Sequence, residues 1–392
     1  MTPFMADRLK HFGTSIFTEM TALAAQHKAI NLAQGFPDFA GPAFIKDAAC
    51  AAIHADLNQY APSQGVRPLR EAVARSWARH HSHELDVELE ITITSGATEA
   101  LLAAVLAVVN PGDEVIIFEP YYDAYPPDVL MAGGVPRYVR LPEPDWALPV
   151  EALRAAITPQ TRAILLNTPH NPIGKVWSQA ELLLVANLAI EHNLVVISDE
   201  VYERLIFDAA VHLPIATLPG MWERTITISS TGKTFSLTGW KIGYAVAAAP
   251  LSEALQRVHQ FMTFASATPL QMAMVTALDA GEAYERQLIA FYAARRAELV
   301  EALSRAGFGV AAPAGTYFVM ADGRALGWND DVAFCRYLTT TLGVAAIPPS
   351  AFYHDGYQSG MIRFCFAKKP ETIAAAASKL ALLVPTDTHD VG

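Results

Sequence analysis

Between Glu90 and about Ala249 the chain alternates short apolar runs with helical patterns, and this alternation limits its fold more than any other feature. Ile91-Thr92-Ile93-Thr94 leads into Gly96 and a helix expected over 98–109. Further strands are expected over 114–118, 163–166, 194–198, 225–228 and 243–247, with a helix over 179–191. Strands that are apolar along their whole length, separated by helices, specify a mostly parallel sheet covered on both faces. Sites in such α/β sheets lie beyond the carboxyl ends of the strands. Asn167, Asp199 and Ser229 stand at or just after strand ends, so they are expected to converge there. From about Gly281 the pattern changes to a helix over 284–306, strands over 316–320 and 362–366, and helices over 331–342 and 370–383. The expected organisation is an N-terminal arm (1–41) packed with a smaller C-terminal α+β domain (281–392), and a large domain (42–280) built on the sheet.

Composition narrows the function. Of 392 residues, 52% are hydrophobic and 17% charged, which suits a well-buried enzyme rather than a disordered chain. A net charge of −11 argues against nucleic acid as a partner, since that needs a basic footprint. Cys50, Cys335 and Cys365 form neither a paired framework nor a metal pattern, so no metal site and a reducing, cytoplasmic setting are expected. The opening Met1–Arg8 has no basic segment followed by an apolar stretch, so no signal peptide is expected. The greasiest run, 101–109, falls far short of the ~20 residues that span a bilayer and reads as a buried helix.

The chemistry is concentrated in Ser229-Ser230-Thr231-Gly232-Lys233-Thr234 and Gly239-Trp240-Lys241-Ile242-Gly243. Lys233 sits among small residues, with a hydroxyl (Ser230) three residues before it and a second cation (Lys241) eight residues after. That layout suits a lysine that bonds to a carbonyl while its neighbours grip a phosphate, and pyridoxal 5'-phosphate carries both groups. A nucleotide-binding P-loop fails as the alternative, because position 227 is Thr where that pattern needs Gly. Asp199, in Ile197-Ser198-Asp199-Glu200-Val201-Tyr202, has the charge to keep a pyridine nitrogen protonated, or it caps a helix; the residues alone leave both open. Tyr202 and Asn171 are candidate donors to the ring phenolate oxygen, and Tyr122 a candidate stacking partner, with Tyr121 and Tyr125 as plain core aromatics. Gly96-Ala97-Thr98 joins strand to helix, a natural phosphate seat that Ser230 and Lys241 would complete. Arg363, in an otherwise apolar strand, needs a partner: a substrate carboxylate or a structural ion pair, equally open here.

Taken together these motifs resemble, nearly end to end, the class I/II pyridoxal-phosphate-dependent aminotransferases of fold type I. Within these the chain is most similar to the bacterial methionine aminotransferase and kynurenine/glutamine aminotransferase subgroup. Asn31-Leu32-Ala33-Gln34-Gly35-Phe36-Pro37-Asp38-Phe39 and Asn58-Gln59-Tyr60-Ala61-Pro62 look like signatures of that subgroup, and so does Lys241 where most class I enzymes carry Arg. The resemblance implies a Schiff base at Lys233, the pyridinium partner at Asp199, and Tyr202 and Asn171 at the phenolate oxygen. It implies ring stacking by Tyr122 and phosphate contacts from Ala97, Thr98, Ser230 and Lys241. Tyr60 would reach the partner subunit's phosphate, so a homodimer is expected. Arg363, Asn171 and the Gly35 backbone would hold the substrate carboxylate. The expected activity is ping-pong transamination to a 2-oxo acid. Phe17, Phe36, Tyr122 and, contributed by the partner subunit, Phe264 as pocket walls favour methionine over aspartate. Aromatic amino acids, glutamine and kynurenine are the rivals, with β-elimination from cysteine S-conjugates as an alternative outcome. A cofactor-sensing regulator is disfavoured, because the residues before the core leave no room for a DNA-binding module.

Overall fold

A computed structural model describes residues 4–10 and 12–383; the opening 1–3 and the end of the expected C-terminal domain, 384–392, lie outside them. After a short strand β1 (Ile30–Asn31), seven strands build the central sheet: β2 (Ile91–Thr94), β3 (Glu114–Glu119), β4 (Val135–Arg140), β5 (Thr161–Asn167), β6 (Val195–Asp199), β7 (Thr225–Ser230) and β8 (Gly243–Ala247). Their order is β2-β8-β7-β6-β5-β3-β4. All neighbours run parallel except β8, which is antiparallel to both β2 and β7.

Side-chain alternation explains why the strands read as continuous apolar runs. Ile116, Phe118, Ile164, Leu166 and Val196 pack on one face with Leu182, Val185 and Leu188 of the helix Gln179–Glu191. Val115, Ile117, Ala163, Leu165 and Ile197 pack on the other with Leu101 and Val105 of the helix Gly96–Val108. Each fully buried Leu, Ile or Val contributes roughly 1.5–3 kcal/mol, so both helical layers are held firmly to the sheet. The helix Gln179–Glu191 starts on a capping box in which Ser178 accepts from the Glu181 amide while Glu181 reaches back to Ser178.

Beyond the long helix Gly281–Arg305, strands β9 (Gly309–Val310), β10 (Phe318–Asp322) and β12 (Met361–Cys365) form an antiparallel sheet of order β12-β10-β9. The strand β11 (Val344–Ala345) pairs in parallel with β1, which ties the N-terminal segment to this region. A separate core including Met20, Leu32, Tyr292, Phe318, Phe334, Phe364 and Phe366 fills it. Among the described residues no helix is long and apolar enough to cross a membrane.

Several boundaries differ from the sequence expectation. The expected strand over 316–320 starts later, at Phe318, because Thr316 takes a left-handed φ of 67°. The expected helix over 331–342 is α-helical only across Asp331–Tyr337 and then widens into a π turn over Leu338–Leu342. The strand β4 was not expected: it is an edge strand, half exposed, with Pro136 inside it, a residue that argues against a central strand and is tolerated at an edge.

Candidate active site

The parallel register brings the strand ends together, with Asn167 at the end of β5 directly opposite Asp199 at the end of β6. The Asn167 amide donates to the Asp199 carbonyl at 2.9 Å, and its own Oδ1 accepts the Asn171 backbone N–H at 2.6 Å. The Trp177 indole donates to the Asn167 carbonyl at 2.9 Å. One buried amide therefore fixes both the strand end and the turn that carries Asn171.

The Asp199 carboxylate accepts from the Tyr125 hydroxyl at 2.7 Å and from the Val201 amide at 3.3 Å. Burial pushes its pKa up to about 6, against these two bonds and the charge of Lys233. Lys233 stands on the one-turn helix Thr231–Thr234 that follows β7. Burial lowers its pKa to about 8; Asp199 opposes this, and the second cation, Lys241, adds to it. Its Nζ lies 5.6 Å from the centroid of the Tyr202 ring, which is itself buried.

A second group of residues forms a concave end to the same pocket. The helix Gly96–Val108 points its N-terminus here, where the first amides of a helix have no intrahelical partner. Gly96 has φ of 75°, and a Cβ on it would sit 3.1 Å from Lys241 Cε and 3.2 Å from Nζ. The Lys241 amine donates to the Thr98 hydroxyl at 3.1 Å, and the Ser230 hydroxyl accepts from the Gly232 amide at 3.2 Å. Ala97 and Tyr122 line the same pocket, with Tyr122 edge-on to Tyr125 at 5.6 Å.

Arg363, on β12, enters from the other side. Its guanidinium is 1% exposed, donates to Asn171 Oδ1 and to the Ala33 carbonyl at 3.0 Å each, and leaves Nε without a partner. The rings of Phe318, Phe17 and Phe352 lie 4.1, 4.9 and 5.3 Å from it. Among the described residues it makes no ion pair, so a buried cation is left without an anion. Gly35 lies alongside, its carbonyl accepting from the Tyr317 hydroxyl.

The structure thus gathers Lys233, Asp199, Tyr202, Asn171, Tyr122, Gly96, Ala97, Thr98, Ser230 and Lys241 around one pocket, with Arg363, Phe17 and Gly35 beside it. Tyr60, Phe36 and Phe264 are not among its lining residues. Tyr60 is 87% exposed and packs edge-on against Phe264 at 5.4 Å. Asn167 meets Asp199 at the strand ends as the sequence predicts, whereas Tyr125, expected to be a core aromatic, instead donates to the Asp199 carboxylate. Nothing in a run of three tyrosines marks which one faces a carboxylate.

These residues fit pyridoxal phosphate. The glycine-lined helix end with a lysine and two hydroxyls suits a phosphate, the buried carboxylate at about 6 suits a protonated ring nitrogen, and the depressed amine suits an aldehyde. Comparison with known proteins agrees. Residues 27–380 match the profile of the family Aminotransferase class I and II. The chain is 44% identical to the methionine aminotransferase of Escherichia coli (strain K12), over 96% of this chain and 97% of that protein. It is 40% identical to a kynurenine–oxoglutarate transaminase of Dictyostelium discoideum, over 95% and 94%. The solved structure of N-succinyldiaminopimelate aminotransferase from Mycobacterium tuberculosis superposes with a TM-score of 0.94 at 46% identity, covering 97% of this chain and all of that one. With a lysine, a carboxylate and a phosphate seat meeting at the sheet's carboxyl edge, this chain belongs to the class I and II aminotransferases and is a pyridoxal-phosphate-dependent transaminase.

Proposed function

We propose that the enzyme moves the amino group of methionine to a 2-oxo acid by a ping-pong reaction in this pocket. Pyridoxal phosphate, when bound, stores the amino group and takes up the electrons released at the substrate Cα. Lys233 Nζ would hold the cofactor covalently and would carry the proton from the substrate Cα. Its depressed pKa supports this role, because a lysine at its ordinary value would hold its proton too tightly to act as a base near neutrality. Asp199 would hold the proton on the ring nitrogen, and Tyr202 and Asn171 would donate to the phenolate oxygen. Tyr122 would cover the ring, and Gly96, Ala97, Thr98, Ser230 and Lys241 would take the phosphate. Arg363, with Asn171 and the Gly35 backbone, orients the α-carboxylate. The observation that carries this reading is the buried, unneutralised Arg363 beside the Lys233–Asp199 pair.

For the side chain, Tyr122 in the pocket and Phe17 beside Arg363 offer aromatic surface that suits a thioether. Among the described residues lining the pocket there is no arginine to receive a distal carboxylate. Similarity to a methionine aminotransferase supports the same choice, and that to a kynurenine transaminase makes kynurenine the first rival. Tyr60 acts on the partner subunit's phosphate in a cytoplasmic homodimer; its exposure away from its own pocket supports this.

The test is to titrate the purified holoenzyme with L-methionine in the absence of any 2-oxo acid. The visible band of the bound cofactor should give way to the pyridoxamine band. A band that methionine leaves unchanged while kynurenine or glutamine bleaches it would overturn the substrate. Equal turnover of aspartate would overturn the pocket argument, and pyruvate release from a cysteine S-conjugate would show β-elimination.

A further inference from the structure

His259, on the helix Ala249–Met262, is fully buried behind the phosphate seat. Its Nδ1 lies 2.7 Å from Glu99 Oε1 and its Nε2 lies 2.8 Å from the Ser63 carbonyl oxygen. A carboxylate and a carbonyl are both acceptors, so both ring nitrogens must carry a proton for the two bonds to form. A neutral ring satisfies only one of them and leaves a lone pair facing an oxygen in a dry site. With Glu99 as a carboxylate, the group buried here is therefore an imidazolium.

Its two partners belong to the two parts of the protein that meet phosphate. Glu99 lies in the first turn of the helix Gly96–Val108, and its other oxygen accepts the Ser95 amide at 2.7 Å, so it braces the seat formed by Gly96, Ala97 and Thr98. Ser63 belongs to the segment that carries Tyr60. Other side chains also hold that segment, among them Thr268 Oγ1 donating to the Gln59 carbonyl at 2.6 Å and Gln271 Oε1 accepting the Val66 amide at 2.8 Å. Neither of those holders titrates; His259 does.

We propose that Glu99 and a doubly protonated His259 are a positioning pair that locks the phosphate seat of one subunit to the segment presenting Tyr60 to its partner, so that the proton on His259 couples cofactor retention at the two sites of the dimer. The inference rests on the proposed reading in which Tyr60 acts across the interface. Burial alone would lower the proton affinity of the ring, yet the bonds to Glu99 and Ser63 more than offset it and raise the pKa above its ordinary value. Glu99 and the Ser63 carbonyl are the groups facing the ring from the elements packed against it, and Glu99 supplies the charge. The lock is complete below the usual imidazole range and is lost as pH rises through the raised folded-state value.

The experiment follows release of pyridoxal phosphate from the diluted holoenzyme across a pH series, read by absorbance of the freed cofactor. In the natural protein release should quicken on the order of tenfold as the imidazolium loses its proton, the scale of one charge-assisted hydrogen bond. Glu99→Gln lets a neutral ring satisfy both neighbours, since the new amide donates to Nδ1 while its oxygen keeps the Ser95 amide. Release from that variant should stay slow, without the added pH step. His259→Phe should release quickly at every pH, and Tyr60→Phe should also release faster. A natural protein and Glu99→Gln sharing one pH profile would overturn the proposal, even if His259→Phe failed to fold. Slow release from His259→Phe with fast release from Tyr60→Phe would overturn the pair alone. Slow release from both would remove the Tyr60 reading along with it.

Discussion

A carboxylate buried at the end of β6 is stabilised as an anion only by what touches it, and Tyr125 is its shortest contact at 2.7 Å. That hydroxyl bond lowers the pKa of Asp199 while burial raises it to about 6. In Tyr125→Phe the opposing bond is gone, so Asp199 takes up its proton at a higher pH than before. The acid limb of the kcat–pH profile should move upward by about one unit, the scale of one hydrogen bond to a charged group, and turnover near neutrality should roughly halve. An unchanged profile would place the relevant ionisation elsewhere. Lys233 gives a second titration. With its pKa near 8, capture of pyridoxal phosphate by the apo-protein should accelerate with pH and level off about one unit above that value, which stopped-flow absorbance would read. A surface-like lysine would instead keep accelerating beyond that range. Lys233 and Asp199 could be singled out in the sequence only by the company they keep, since a loop lysine and a strand-end acid each have an ordinary reading when taken alone. Tyr125 and His259 could not be, because their partners, Asp199 and the Glu99–Ser63 pair, lie far off in the chain and only the fold brings them together.

The proposed phosphate seat depends on two elements meeting without side chains between them. A Cβ on Gly243, at the start of β8, would lie 2.7 Å from the Gly96 carbonyl carbon and 2.8 Å from the Ala97 nitrogen. Both are backbone atoms, so no rotamer change relieves the clash, and strand and helix must separate. Gly243→Ala should lose about 1–3 kcal/mol of stability in thermal or denaturant unfolding and bind the cofactor more weakly. Gly239→Ala is the control, since a Cβ there meets nothing within 4 Å, and it should unfold close to the natural protein. Equal losses in both would mean that the close approach of β8 to the helix is unimportant. The Gly96 turn and the Gly243 strand start could each be read in the sequence, but their contact could not, because β8 runs antiparallel between β2 and β7 in an otherwise parallel sheet. The same limit hid β4, whose edge position makes Pro136 and a half-polar pattern acceptable.

At the scale of the whole molecule, the pocket lacks one of its expected phosphate ligands while a matching hydroxyl stands exposed elsewhere. Tyr60 and Phe261 are each 87% exposed, and Phe264, packed on Tyr60, is 43% exposed. Aromatic side chains are normally buried, so the sequence would place Phe261 in a core, and only the surface reveals otherwise. Two copies that each carry a net charge of −11 repel one another at long range, so in the proposed homodimer apolar contact would have to outweigh that repulsion. If the chain dimerises in this way, added salt, which screens the repulsion, should leave the dimer intact or tighten it. Phe261→Asp adds like charge to each copy at the apolar patch and should shift the protein toward monomer in sedimentation equilibrium. If Tyr60 serves the partner's phosphate, the monomer should also lose pyridoxal phosphate faster, while its circular dichroism stays that of the folded chain. A Phe261→Asp protein that sediments as a dimer and keeps its cofactor would put the interface on another face, and Tyr60 would then have no phosphate to reach.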